Sequence, residues 1–140
     1  MSSQRDFNSD VVKTVQVDIS PGELIDKITI LEIKKQQIFD EQKLSNIQRE
    51  LETLRAVCGA VIPKSSEMDR LTDDLKAVNL ELWTIEDEIR ERERDLDFGK
   101  RFIACARSVY KTNDRRAALK AEINDLLGAA IKEEKSYTPY

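Results

Sequence analysis

The sequence predicts a mainly α-helical protein, an antiparallel bundle or hairpin of three to four helices. Charged residues make up 36% of the 140 residues, and only four glycines and three prolines interrupt the chain. Apolar residues recur at intervals of three and four over most of the length, which is the period of a buried helix face. Capping signals stand where these patterns begin, so the pattern divides into separate helices.

The first stretch of the chain is predicted to be non-helical. Residues 1–12 are predicted to form a disordered segment, followed by a single helical domain at 13–137 and a tail at 138–140. Residues 15–19 alternate apolar and polar side chains, a period of two that favours a short strand. We expect this strand to pair with residues 130–136.

The first helix has a strong start signal. Ser20 is suited to the N-cap, Pro21 to the first helical position and Glu23 to the reciprocal half of a capping box. The helix is predicted to continue to about Asp40. Its apolar residues cover a wide surface, so we expect neighbours on more than one side.

A second helix is predicted because the apolar seam changes phase near residues 40–45. Ser45 with Gln48 could form its capping box, although residues 21–58 could also form one kinked helix. Gly59 and Pro63 predict its end.

The third helix has the most regular pattern in the chain. Its seam steps strictly by three and four through Met68, Leu71, Leu75, Val78, Leu82, Ile85 and Ile89. Paired with the preceding seam, this coiled-coil-like pattern predicts an antiparallel hairpin of the second and third helices. Gly99 then predicts a turn.

The last helix carries an apolar seam that polar side chains interrupt. Thr112 and Arg116 occupy the turns between Val109 and Leu119. A buried arginine requires a partner, because an unpaired buried charge costs several kcal/mol. Facing helices are predicted to bring Glu86 or Asp87 against Arg116.

Composition excludes several kinds of function. The chain has no histidine, which removes the commonest general base, and zinc is implausible with only two cysteines. The net charge of −4 argues against nucleic-acid binding. Without an apolar run of ~18 residues or a signal peptide, we expect a cytoplasmic protein with no membrane partner and reduced cysteines.

Charge is distributed unevenly over the last two helices. Residues 81–97 contain eight acids and three arginines, whereas residues 100–121 contain seven cations and one acid. One interpretation is that these faces neutralise each other and solvent, with Trp83 in the core. The other is a ligand site, because arginine suits carboxylate or phosphate groups and an indole can pack on a ligand ring.

The candidate ligand-binding residues under the second interpretation come from the first, third and last helices. They are Asp26, Lys27, Asn79, Trp83, Glu86, Asp87, Arg107, Tyr110, Asn113, Asp114, Arg115 and Arg116. Mg²⁺ is the cofactor considered, because acids recur in pairs at i, i+3. No catalytic residue can be assigned.

Four blocks of the sequence resemble an uncharacterised bacterial family, a domain of unknown function. They are SPGELIDKITILEIKKQQI at 20–38, VNLELWTIEDEIR at 78–90, ARSVYKTNDRRAALKAEIN at 106–124 and IKEEKSY at 131–137. The resemblance implies one small bacterial domain and brings no activity or catalytic residue.

Two hypotheses for the function follow. The leading one is a non-catalytic helical adaptor or oligomerisation module, a homodimer or the subunit of a protein partner. The alternative is a binding protein or Mg²⁺-dependent enzyme for an anionic small molecule, namely a nucleotide, nucleotide sugar or sugar phosphate. A helical enzyme resembling chorismate mutase is a more distant idea.

Overall fold

A computed structural model describes residues 13–131 and 134–140, and its fold is all-α. Its four helices are α1 (Pro21–Gln37), α2 (Glu41–Val61), α3 (Ser66–Arg94) and α4 (Lys100–Leu127). The described residues form no strand, so the fold class predicted from the sequence is confirmed. Residues 1–12, which were predicted to be disordered, lie outside the described residues. None of the helices described is long and apolar enough to cross a membrane.

The predicted pairing of residues 15–19 with residues 130–136 is not formed by the described residues, which exclude 132 and 133. Val15 and Val17 are exposed. The described end of the chain instead lies against α4, where the ring of Tyr140 meets that of Tyr110. The alternating pattern was therefore too short to identify a strand.

The start of the helix agrees with the prediction at α1 and differs from it at α2, while the cap of α3 was not predicted. Ser20 caps α1 and Ser65 caps α3 through hydroxyls that accept from backbone N–H groups. The break after α1 separates two helices, so the single kinked helix is excluded. The capping box predicted at Ser45 is wrong, because Asp40 caps α2 by accepting from the backbone N–H of Lys43 at 3.0 Å. Aspartate is as good an N-cap as serine, and it stands at the break itself.

Helix α1 lies at the centre of the bundle. It packs against α2 on one side and against both α3 and α4 on the other, while α3 and α4 form the antiparallel hairpin. The hairpin predicted between α2 and α3 is therefore wrong. Both seams are apolar as predicted, but α1 is apolar on two sides and separates the two helices along most of their length.

Two apolar clusters lie on the two sides of α1. One joins α1 to α2 and contains Leu24, Ile28, Leu31, Ile47 and Leu51. The other joins α1 to the hairpin and contains Ile25, Met68, Leu71, Leu75 and Ile123. The expectation that the first helix has neighbours on more than one side is confirmed.

Candidate functional site

A buried carboxylate connects α1 to the hairpin. Asp26 has 1% of its side chain exposed, and Arg116 of α4 binds it with two parallel hydrogen bonds. The Nε of Arg116 donates to Oδ1 at 2.9 Å, and Nη2 donates to Oδ2. This geometry is the bidentate pairing that the guanidinium group favours. The partner predicted for Arg116, Glu86 or Asp87, is corrected to Asp26, which the antiparallel register of α1 and α4 brings to this level.

The amide of Asn79 extends this network to α3. Its Nδ2 donates to Asp26 Oδ1 at 2.9 Å and to the hydroxyl of Thr29 at 3.0 Å. Thr29 in turn donates to the backbone carbonyl of Asp26 at 2.8 Å. Asn79 and Thr29 are buried, so these polar groups satisfy one another inside the bundle.

Two further polar contacts continue along the α1–α4 interface. Lys120 is buried, and its Nζ lies 2.7 Å from Glu23 Oε2. One turn further, the backbone N–H of Gly22 donates to Asn124 Oδ1 at 2.7 Å. Together with the Asp26–Arg116 pair, these contacts form what we call the α1–α4 polar seam. The carboxylate of Glu23 thus contacts Lys120 of α4, whereas the sequence predicted that it would complete the cap of its own helix.

The surroundings of Asp26 keep its carboxyl group ionised. Burial by itself would raise the pKa of Asp26. The hydrogen bonds from Arg116 and Asn79, together with the charges of Arg116 and Lys120, outweigh that effect, so the pKa lies below its ordinary value of 3.8. The negative charge of Asp26 is therefore a stable feature of the folded protein at neutral pH.

This lowered pKa predicts a specific loss of stability in acid. A carboxyl group with a depressed folded-state pKa stabilises the protein above its unfolded-state pKa, and that contribution is lost as the pH falls through the folded-state value. Asp26→Asn should cost about 2 kcal/mol of unfolding free energy near neutral pH, the range for a hydrogen bond to a charged group. The difference from wild type should shrink below about pH 4 in urea titrations at several pH values. A constant difference down to about pH 3 would contradict the role assigned to Asp26.

Arg116 also lines a surface cleft, and 29% of its side chain is exposed. This cleft, which we call the Trp83 cleft, has a volume of about 570 Å³. It lies between α1, α3 and α4 and is lined by Ile30, Ile33, Asn79, Leu82, Trp83, Glu86, Asp87, Arg90, Asn113 and Arg116. Its size falls within the usual range for small-molecule sites, about 300–1,000 Å³.

Charged side chains of both signs line the Trp83 cleft. Arg90 Nη1 hydrogen-bonds Glu86 Oε2 within α3, and Asp87 is exposed. Asn113 contributes an amide from α4. The cleft therefore offers cationic donors, carboxylate acceptors and the indole of Trp83 within one volume.

A second cleft adjoins the first and involves the end of the chain. This cleft, which we call the tail cleft, has a volume of about 940 Å³ and lies between α4 and residues 134–140. Its walls are Val109, Tyr110, Asn113, Asp114, Lys135, Tyr137, Thr138, Pro139 and Tyr140. Asn113 lines both clefts, so the two clefts are neighbours on the surface of α4.

The structure brings together most of the candidate residues named from the sequence. The Trp83 cleft and the network behind it contain Asp26, Asn79, Trp83, Glu86, Asp87, Asn113 and Arg116. Tyr110 and Asp114 line the tail cleft with Asn113.

Three candidates lie outside both clefts. Lys27 is 3.8 Å from Glu23 on the same helix. Arg115 binds Glu81 of α3 with two hydrogen bonds at 3.1 and 3.2 Å, and Arg107 is exposed. The Arg115–Glu81 contact agrees with the interpretation that charges of α3 and α4 neutralise each other.

The candidate list omitted several residues that the structure adds. Arg90 follows Asn79, Trp83 and Glu86 at helical spacing, so its position on α3 was readable from the sequence. Thr29 carried no such signal. Neither did the cleft-forming residues of the chain end, Lys135, Tyr137, Thr138, Pro139 and Tyr140. Among the described residues, no three acidic or cysteine side chains converge as a group that could hold a metal ion.

The fold and its clefts define a small all-α protein with a polar cleft beside a buried ion pair. A model of a family of unknown function (DUF6165) matches residues 15–140. The chain belongs to this family, which brings no established activity. No curated protein and no solved structure matches the chain.

Proposed function

We propose that the protein binds an anionic small molecule in the Trp83 cleft. The observation that carries this proposal is that Asp26 holds the guanidinium group of Arg116 in a fixed position at the wall of the cleft. Two hydrogen bonds from Arg116 to the buried Asp26 hold the guanidinium plane beside Asn79 and Asn113. A donor held in this way loses little conformational freedom when a ligand binds, which favours affinity.

The chemistry of the lining indicates the class of ligand. Arginine is the side chain best suited to phosphate, so Arg116 and Arg90 favour a phosphate-bearing molecule. Each also contacts a carboxylate, Asp26 and Glu86 respectively, which weakens attraction to a bare anion. Carboxylates accept hydrogen bonds from hydroxyl groups. A sugar phosphate or nucleotide sugar satisfies both requirements, and the indole of Trp83 can pack on its ring.

The proposal predicts a loss of affinity when the indole is removed. Trp83→Ala should weaken binding by about fivefold to about 150-fold, because stacking on an aromatic side chain is worth about 1–3 kcal/mol. Isothermal titration calorimetry with UDP-glucose, UMP, glucose 1-phosphate and inorganic phosphate provides the measurement. At a ligand concentration about 100 times its dissociation constant, binding should add about 2.7 kcal/mol of stability.

A matched pair of arginine variants serves as the control. Arg90 and Arg115 are both exposed and both pair with a glutamate of α3, but only Arg90 lines the Trp83 cleft. Arg90→Ala should therefore weaken binding and Arg115→Ala should not. Equal affinities of these two variants for every ligand, or no binding by the wild-type protein, would refute the proposal.

A second candidate function is assembly, supported by the apolar surface near the turn of the α3–α4 hairpin. Leu96, Phe98 and Ile103 are each at least half exposed there, and exposed apolar surface often marks a protein contact. This candidate corresponds to a homodimer or an adaptor. Sedimentation velocity of the wild-type protein tests it by giving the oligomeric state.

A further inference from the structure

The end of the chain makes specific contacts with α4. The ring of Tyr140 lies 5.3 Å from that of Tyr110 at an angle of 66°, an edge-to-face arrangement. The carboxylate of Asp114 raises the pKa of the Tyr140 hydroxyl. The ring contact sets the end of the chain against the middle of α4, near Asn113, which also lines the Trp83 cleft.

This segment adds a cation and two aromatic rings to the tail cleft. Lys135 brings an ammonium group to the tail cleft, and its Nζ lies 5.6 Å from the ring centroid of Tyr137. Tyr110, Tyr137 and Tyr140 give the cleft aromatic walls. A positive charge beside aromatic faces suits a planar ring that carries phosphate.

The same segment has little contact with the rest of the protein. The side chains of Tyr137 and Tyr140 are 78% and 76% exposed. A segment with so few buried groups opens and closes readily, as ligand-binding segments do. A ligand that packs against Tyr137 and Tyr140 would add to the contacts that hold the segment on α4.

We propose that residues 134–140 complete a second subsite, and that the two clefts together bind one nucleotide sugar. Both clefts are lined by Asn113, and each offers an aromatic wall and a cation. A nucleotide sugar has the matching form, because a pyrophosphate joins a nucleoside at one end to a sugar at the other. This inference rests on the proposed function of the Trp83 cleft and narrows its ligand class from sugar phosphates and nucleotide sugars to nucleotide sugars alone.

The inference predicts that UDP-glucose, which can occupy both clefts, binds more tightly than either of its two parts. Wild-type protein should bind UDP-glucose at least about tenfold more tightly than UMP or glucose 1-phosphate, because joining two bound parts makes the second contact intramolecular. Tyr140→Ala should remove most of that advantage and should also lower the affinity for the part that binds in the tail cleft, for which the planar base of UMP is suited. Trp83→Ala should lower the affinity for UDP-glucose and the affinity for the part that binds in the Trp83 cleft. Calorimetry gives these affinities.

A second measurement follows the segment itself. UDP-glucose should slow amide hydrogen exchange in residues 134–140 of the wild-type protein. Tyr140→Phe keeps the edge-to-face contact with Tyr110 and removes only the hydroxyl group. The slowing of exchange by UDP-glucose in Tyr140→Phe should therefore be close to that in the wild-type protein and larger than that in Tyr140→Ala. Phe39→Ala is the control, because Phe39 is exposed and lines neither cleft.

The outcomes separate this inference from the proposed function. If wild-type protein binds UDP-glucose but Tyr140→Ala binds it equally well, with no change of exchange in residues 134–140, the second subsite is refuted and the Trp83 cleft remains. If Arg90→Ala and Trp83→Ala also bind like wild type, the ligand lies elsewhere and both proposals fail. If none of the ligands binds to wild-type protein, both fail as well.

Discussion

Arg116→Ala should lower the free energy of unfolding by about 3 kcal/mol, because it leaves the carboxylate of Asp26 buried without its ionic partner. Asp26 has 1% of its side chain exposed and receives both hydrogen bonds of the guanidinium fork. Removing one member of such a pair costs more than the pair contributes, since the remaining charge stays desolvated. Urea unfolding at neutral pH, followed by circular dichroism, measures the change.

The neighbouring arginine provides the control for this variant. Arg115 also forms two hydrogen bonds to a glutamate, but its side chain is exposed, so Arg115→Ala should change stability by no more than about 1 kcal/mol. Adding Asp26→Asn to Arg116→Ala should recover part of the loss, because the buried charge is then gone. Similar stabilities for Arg116→Ala and Arg115→Ala would show that Asp26 does not depend on Arg116.

The expected effect of Arg116→Ala also decides how ligand binding should be tested. Arg116 holds α1 to α4 and lines the Trp83 cleft at once. Loss of binding in this variant would therefore report either a missing contact or a damaged fold. Trp83 and Arg90 line the same cleft without entering the Asp26 network, so their variants report on the ligand.

Gly22→Ala should destabilise the protein by about 2 kcal/mol, the range for forcing an extra carbon into a closely packed contact. A Cβ at this position would lie 2.5 Å from the backbone oxygen of Lys120 and 3.0 Å from Asn124 Oδ1. The first of these atoms belongs to the backbone of α4 and cannot move aside as a side chain does. Helix α1 would have to shift away from α4, which would weaken the α1–α4 polar seam.

Gly59 offers a control for this substitution, because Gly59→Ala should change the stability in the opposite direction. It lies within α2, and a Cβ there would meet nothing within 4 Å. Gly59→Ala should therefore stabilise the protein by about 0.5–1 kcal/mol through helix propensity alone. Thermal or urea unfolding of the two variants compares them directly. If Gly22→Ala also stabilised the protein, the close approach of α1 to α4 would be contradicted.

Helix positions were largely predictable because their signals are local. The caps at Ser20 and the periodic seam from Met68 involve residues within a few turns of one another. Helix partners were less predictable. Two apolar seams adjacent in sequence favoured an α2–α3 hairpin. In the structure, the seam of α2 packs against one face of α1 and the seam of α3 packs against another. A seam shows that a helix has a partner and does not identify it.

The same difference applies to the candidate site. The stripe of Asn79, Trp83 and Glu86 on α3 could be read from helical spacing, and it lines the cleft as one face. The participation of Tyr137 and Tyr140 could not, because no periodicity relates an extended chain end to the helix on which it lies.

Arg116 shows most clearly what each level of structure determined. The sequence by itself established that this arginine interrupts an apolar seam and therefore needs a partner. Only the tertiary structure decided that the partner is Asp26, a residue 90 positions away that is one of many acids in the chain. The physical reason is that burial makes pairing obligatory through local desolvation, whereas the choice of carboxylate depends on the register of α1 against α4. That register is set by packing contacts such as those of Gly22, distributed over the whole interface.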